Sequence, residues 1–288
     1  MLRGLYTAAS GMLAQQRRHD TITNNIANLN TPGFKSSNAV TRTFPEMLIS
    51  VMGGANPPQG SLGKLSLGVF AEENLMQMSQ GDLQQTYRSQ DMALVSDILV
   101  DGTPFDASGK YVNEDGEVSY KPQAFFSVLS AQGEEEYTRD GSFKTAPDGM
   151  LLTSDGLQVV GTDGQPIFVN VSWEQVAVSG DGRLLSAVDG LPLDGAPQLR
   201  IMRVDNPNLL IRQGDGRFSY AGEPAGIRQI AAEERVDVRQ GYLERSNVDA
   251  AQASVDLMAA LRAYEANQKV IQAYDSSLQK TVNDVGRV

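Results

Sequence analysis

No cysteine occurs in the 288 residues, which removes disulfides, thiolate nucleophiles and sulfur-ligated zinc. His19 is the single histidine and Trp173 the single tryptophan. A Ser-His-Asp triad or a histidine metal centre would have to use His19. That residue falls on an apolar helical stripe, where packing or capping is the ordinary role. No apolar run approaches the ~20 residues needed to cross a bilayer, so the sequence offers no transmembrane segment. Basic residues are scarce, 24 against 35 acidic, and the net charge of −11 carries no Lys/Arg cluster; nucleic acid is thereby excluded as a partner. Neither a P-loop nor a nucleophile elbow is present. The start, Met1-Leu-Arg-Gly-Leu-Tyr-Thr-Ala-Ala-Ser-Gly-Met-Leu-Ala14, has an interrupted apolar stretch followed by Gln15-Gln-Arg-Arg18 where a cleavage site should fall, so no cleaved signal is expected. The aspartates lack the alternate-position spacing of a calcium loop, and Glu134-Glu135-Glu136 reads as a solvated hairpin edge. These absences leave no catalytic, cofactor-binding or metal residue to nominate, and an enzyme is not expected.

What remains is concentrated at the two ends. In residues 1–30, Leu2, Leu5, Ala9, Met12, His19, Ile22, Ile26 and Leu29 recur at steps of three and four, the pattern of an amphipathic helix. Asn30-Thr31-Pro32-Gly33 stops it, because proline breaks the hydrogen-bond ladder and glycine permits a turn. From Asn247 onward no Gly or Pro interrupts the chain until Gly286, and Ser246-Asn247-Val248-Asp249 supplies an N-cap. Leu257, Tyr264, Ile271, Leu278 and Val285 fall at seven-residue intervals, with Leu261 and Val282 expected on a second seam. One stripe cannot bury itself, so each helix needs a partner, either its counterpart or a neighbouring chain.

The middle differs. Asp-Gly occurs at Asp101, Asp115, Asp140, Asp148, Asp155, Asp163, Asp181, Asp189, Asp194 and Asp215, a dipeptide suited to type I′ hairpin turns. Short apolar pairs such as Leu151-Leu152 and Val159-Val160 lie between them, which predicts a β domain. The expected class is α+β: 1–49 as an N-terminal helix with a following segment, 50–89 as a linker or extended segment, 90–225 as the β domain and 226–288 as a connection and C-terminal helix. Within the second, Gly53-Gly54, Pro57-Pro58 and Gly60 read as a flexible connection.

Three groups of residues carry a resemblance. Arg3-Gly-Leu-Tyr-Thr-Ala-Ala-Ser-Gly-Met12, Asn24-Asn-Ile-Ala-Asn28 and Asn30-Thr-Pro-Gly-Phe-Lys35 resemble the N-terminal signature of the flagellar rod and hook axial family. Gly241-Tyr-Leu-Glu-Arg-Ser-Asn-Val248 and Arg262-Ala-Tyr-Glu-Ala-Asn267 are similar to its C-terminal signature. Tyr137-Thr-Arg-Asp-Gly-Ser-Phe143 and Asp155-Gly-Leu-Gln-Val-Val-Gly161 look like its β-domain motif.

The resemblance implies a subunit of the extracytoplasmic basal-body rod, whose terminal helices form a coiled-coil-like inner tube with the β domain outside. Implied partners are copies of itself, other rod and hook proteins, and the flagellar type III export apparatus. The implied polymerisation interface comprises Leu5, Met12, Ile22, Asn24, Asn25, Asn28, Asn30, Pro32, Gly33 and Phe34 at one end. At the other it comprises Ser246, Asn247, Val248, Leu257, Leu261, Arg262, Tyr264, Glu265, Ile271 and Leu278. Between Asp91-Met-Ala-Leu94 and Phe125-Phe126 the chain carries about 25 residues that the family's common distal-rod subunit lacks; in this it resembles a divergent rod-type paralogue of Gram-positive flagellar operons. The alternatives are a hook-type subunit, for whose large outer domain 288 residues leave little room, and a secreted β-rich adhesin or binding module.

Overall fold

The computed structural model describes residues 2–44, 47–49, 63–65, 68–98, 104–106, 109–113, 116–231 and 234–285. Most of the glycine- and proline-rich connection, and the Asp-Gly pairs at Asp101 and Asp115, lie outside the described residues. The architecture is α+β, with one long helix at each end, α1 (Leu2–Ala27) and α2 (Ala250–Val285), and a β-rich middle. Two compact units result. One holds residues 1–27, 37–75 and 249–288; the other holds 28–36 and 76–248.

The β unit is wider than the 90–225 expected from the sequence. It reaches back to 76 and forward to 248 because a ribbon of short strands closes it: Met92–Ser96 pairs antiparallel with Val236–Gln240, and Leu83–Gln85 with Tyr242–Glu244. Within 63–89, Gly63–Leu65, Val69–Ala71, Leu75–Met76 and Leu83–Gln85 are paired strands. Each strand there is only two or three residues long, too short for period-two alternation to show.

The main sheet has nine strands around Gln123–Leu129, which pairs with Glu135–Thr138, Gln158–Val159 and Ile201–Val204. Each face of that strand meets a separate core. Ala124, Phe126 and Val128 enter a large cluster with Met92, Phe143, Leu151, Leu184 and Leu199. Phe125 enters a smaller one with Tyr137, Met202, Leu210 and Phe218. Alternate side chains of a strand point to opposite faces, so the Phe-Phe pair supplies one ring to each. Phe126 meets Phe143 edge-on at 5.3 Å and Phe125 meets Phe218 at 5.8 Å.

With one exception the turn chemistry is not that of the type I′ hairpin. A type I′ turn needs positive φ at both central residues, and among the described Asp-Gly pairs only Asp215-Gly216 has it, at 49° and 72°. At Gly149, Gly156, Gly164 and Gly182 the glycine alone is positive. There Gly149 N donates to Ala146 O at 2.9 Å while Ala146 N donates to Met150 O, the signature of a type I turn closed by a left-handed glycine. The other three repeat that pair of bonds. Asp140-Gly141 is not a turn of this kind: a Cβ on Gly141 would sit 1.6 Å from Met92 O, so glycine is required there for close approach of two backbones.

Phe126→Ala empties a site with no exposed surface and should lower stability by about 3–5 kcal/mol. Val188→Ala, at a residue exposed on a hairpin, should stay within about 0.5 kcal/mol of the parent. Urea unfolding followed by tyrosine and tryptophan fluorescence distinguishes them.

Candidate functional site

Two neighbourhoods contain the residues nominated from the sequence: the pair of terminal helices, and the segments that lead out of α1 and into α2.

The helices run antiparallel. Gly4 lies opposite Tyr274, Gly11 opposite Asn267, and Arg18 Nη2 reaches Asp256 at 3.7 Å. The glycines, seven apart, leave room for large side chains from the other helix. A Cβ on Gly4 would stand 2.2 Å from the Tyr274 hydroxyl, and one on Gly11 3.2 Å from Asn267 Nδ2. On α2, Leu257, Tyr264, Ile271 and Leu278 are half-buried as one side of the packed face. The other side is Ala253, Ala260, Asn267 and Tyr274, again seven apart. Leu261 and Val282, expected on that second seam, are exposed instead. The seam holds two alanines, an asparagine and a tyrosine, the last two set against Gly11 and Gly4 of α1, and a count of apolar residues overlooks it. The side chain of Val285 lies outside the described residues. On α1, Ile22 is buried and Leu5 and Met12 are half-buried. Asp249 caps α2, accepting from Ala251 N at 2.8 Å and Gln252 N at 3.0 Å.

The asparagines divide. Asn24 and Asn30 are exposed. Asn25 is buried, and its amide acts as a strand edge: Nδ2 donates to Ser37 O at 2.8 Å, and Oδ1 accepts from Ser37 N at 3.0 Å. Asn28 accepts from Thr31 N and from the Thr31 hydroxyl in the turn that ends α1. Asn247 spends every polar atom inside the β unit. Its Oδ1 accepts from Ser36 N at 2.7 Å, and its Nδ2 donates to Gln77 O, Ser79 O and Ser79 Oγ. Pro32, Ser246 and Val248 are half-buried, Gly33 and Phe34 are buried, and Arg262 and Glu265 are exposed.

Gly33 and Phe34 lead to a charge cluster that sequence reasoning did not nominate. Glu244, fully buried, accepts from Lys35 Nζ at 2.6 Å and Gly81 N at 2.8 Å through Oε1, and from Arg139 Nε at 3.0 Å through Oε2. Lys35 also donates to Ser79 O at 2.8 Å, and Arg139 Nη1 to Ala124 O at 2.7 Å and Ser96 Oγ at 3.2 Å. Glycines make the approach possible. Gly33, at φ 67°, donates its N–H to Glu244 O and would place a Cβ 2.5 Å from the Arg139 carbonyl carbon; Gly81 would place one 2.0 Å from Arg245 O. Phe34 lies under the Arg212 guanidinium, 4.6 Å from its ring centre.

Two cations around one carboxylate make the three unequal. Burial opposes ionisation of Glu244, but Arg139, Lys35 and the bonds from Lys35 and Gly81 outweigh it and hold the carboxyl below its ordinary value. For Lys35 the balance reverses: burial and the neighbouring Arg139 charge outweigh Glu244, and its pKa falls to about 8. Among the described residues no group of three or more His, Cys, Asp or Glu side chains is arranged to hold a metal, and no helix is long and apolar enough to cross a membrane.

Comparison with known proteins matches the same segments. A family described as flagella basal body rod protein matches residues 5–35, and one described as flagellar basal body rod FlgEFG protein C-terminal matches 239–284. A third, flagellar hook protein FlgE/F/G D1 domain, matches 122–186. Flagellar hook-basal body complex protein FlhO of Bacillus subtilis (strain 168) is 34% identical over 298 residues, covering 100% of both chains. This chain belongs to the flagellar basal-body rod family. Flagellar basal-body rod protein FlgG of Borreliella burgdorferi is 32% identical over 96% of this chain and 97% of its own, and FlgG of Bacillus subtilis 29% over 98% and 99%. Like the rest of that family, the chain is a structural rod subunit of the flagellar basal body and not an enzyme. The similarity to a Bacillus hook-basal body complex protein agrees with the resemblance to a Gram-positive rod paralogue.

The charge cluster joins all three family segments: Lys35 closes the first match, Arg139 lies in the D1 match and Glu244 in the C-terminal one. Each of the three groups of motifs quoted from the sequence holds one of these charges, one acidic and two basic. That opposition was the available signal.

Glu244→Gln leaves two buried cations without a counter-charge and should cost about 3–5 kcal/mol. Lys35→Met removes the disfavoured cation and should cost less. The linkage has a defined sign. Glu244, depressed when folded, adds stability that is present above its ordinary 4.5 and is lost as pH falls through the lower folded value. Lys35 titrates near 8 when folded and at 10.5 when unfolded, so its contribution to stability rises with pH across that window. Urea midpoints of parent and variants from pH 3 to 10.5 test both; an acid limb equally steep in Glu244→Gln would exclude Glu244 as its source.

Proposed function

We propose that this rod subunit polymerises through its terminal helices, with copies of itself and with other rod and hook proteins, into the tubular drive shaft between motor and hook. It travels there through the flagellar type III export apparatus. One observation carries the reading: α1 and α2 bury one face against each other and leave large apolar side chains exposed on their backs, Val255, Met258 and Leu261 on α2 and Tyr6 and Leu13 on α1. Apolar surface kept in water favours association at about 25 cal/mol per Å² once covered.

The nominated interface then divides by role. Asn30, Leu261, Arg262 and Glu265, all exposed, are available to neighbouring subunits. Asn25, Gly33, Phe34 and Asn247 instead hold the subunit's own fold. The hook-type reading is not favoured, since 96% or more of this chain aligns with 97% of a rod protein's length.

Electron microscopy of basal bodies from a strain deleted for the gene, complemented in trans, tests the reading. Basal bodies lacking hook and filament are expected, with both restored by the complementing copy. Intact, rotating flagella in the deletion strain would refute it.

A further inference from the structure

Asp91 is a buried carboxylate that nothing in the chain answers. The residue is 1% exposed, and neither Oδ1 nor Oδ2 meets a hydrogen-bond donor. Glu244 shows the contrast, with two cations and a backbone N–H on its oxygens. A buried carboxylate without a partner is strongly disfavoured, so its ionised form calls for a positive charge from outside the chain.

The backbone fixes what Asp91 faces. It forms an antiparallel bridge with Ser142, and beside that bridge Met92 N donates to Gly141 O at 3.0 Å. Side chains directly opposed in this way share one face, with Cβ atoms about 4.5–5.5 Å apart. Met92 and Phe143, the next residue of each segment, point the other way into the large core. Gly141 lets the two segments come this close, because a Cβ there would strike Met92 O. Asp91 therefore stands beside the Ser142 side chain.

Behind Ser142 lies more negative charge. Asp140 accepts from Ser142 N at 2.9 Å, from Ser142 Oγ at 2.7 and 2.8 Å and from Ser154 Oγ at 3.2 Å, all neutral donors. Lys144 donates to Ser154 O at 3.5 Å and to neither carboxylate. Loss of hydration, and then the Asp215 and Asp140 charges, push Asp155 above its ordinary value, against a smaller pull from Arg217 and Lys144. The Ser142 hydroxyl spends its one hydrogen on Asp140, which leaves its oxygen lone pairs for a cation.

We infer that the Asp91 carboxylate and Ser142 Oγ bind a calcium ion, with Asp140 holding the Ser142 hydroxyl from behind. The carboxylates of Asp91 and Asp140 together balance a divalent charge. Their oxygens come from separate segments, so no calcium-loop spacing marks them in the sequence. Calcium accepts about six to eight oxygens in flexible geometry, with neutral carbonyls and water among them, so a cage of three acidic ligands is not required. Magnesium keeps several of its waters, whereas both Asp91 oxygens are closed to solvent, and this favours calcium.

Calorimetric titration of the full-length chain with CaCl2, after stripping with EDTA, tests the site, together with thermal melts in EDTA and in CaCl2. Wild type is expected to take up a single ion per chain and to melt about 5 °C higher once calcium stands at ~100 times its Kd. Asp91→Asn should abolish both the uptake and the shift. Ser142→Ala and Asp140→Asn should each weaken binding about tenfold or more. Asp189→Asn, at an exposed hairpin aspartate, should change neither. MgCl2 should bind more weakly than CaCl2. Should Asp91→Asn fail to fold, Ser142→Ala decides, and wild-type affinity in that variant would overturn the site. So would equal wild-type melts in EDTA and calcium, uptake that Asp91→Asn leaves intact, or magnesium held as tightly as calcium.

Discussion

Glu244 is a carboxylate with no water around it, and its ionisation is the condition on which the β unit is organised. An isolated buried charge costs several kcal/mol, so the fold must bring a cation to it, and this fold brings two from positions remote in sequence, Lys35 and Arg139. The second cation exceeds what charge balance requires. Its consequence is visible in Lys35, whose ammonium is the least favoured member of the three. Arg139 compensates by geometry: its guanidinium also serves Ala124 O and Ser96 Oγ and lies 5.9 Å from the Phe125 ring, so it ties the cluster to the central strand of the main sheet. Gly33 and Gly81 are glycines because backbone must come within contact of this group from two sides.

Beyond that cluster, the acidic excess falls on the β unit while the helical unit is neutral, and large apolar side chains are exposed on both. Net charge acts on solubility and association, not on fold. The cores of the β unit show the same independence: they are built from Phe, Leu, Val and Met, and the excess acids lie largely in its turns.

How much of this was legible follows from which signals are local. The N-terminal helix was readable from its amphipathic period despite Gly4 and Gly11, and the C-terminal one from its seven-residue period and the lack of Gly and Pro up to Gly286. The residues packed beside the leucine seam, Ala253, Ala260, Asn267 and Tyr274, were not legible, because small and polar side chains carry no apolar signal and two of them, Asn267 and Tyr274, fit against Gly11 and Gly4 of the other helix. The Asp-Gly positions marked turns, yet the type of turn depends on the φ of the aspartate, which the dipeptide does not fix. The cluster at Glu244 was the least legible. Its members stand 209 and 105 residues apart from that carboxylate, and a lone Lys, Arg or Glu in a polar motif reads as solvated until the fold is known.

The same long separation gives the cluster a place in the architecture. Residues 28–36 directly follow α1 in the chain, and 241–248 directly precede the cap of α2. Gly33 N to Glu244 O, Ser36 N to Asn247 Oδ1 and Asn247 N to Phe34 O bind these two segments side by side inside the β unit. The exit to one terminal helix is thus hydrogen-bonded to the entrance of the other, and the Lys35–Glu244 pair fixes their register with a buried charge. A slip by one residue would strand Glu244 without its lysine and put a side chain where Gly33 now passes. Hydrophobic burial alone tolerates such slips, whereas a buried ion pair does not, and register is the property that a buried polar group supplies best. Register between these two segments is therefore what the buried pair adds to the apolar packing of the β unit.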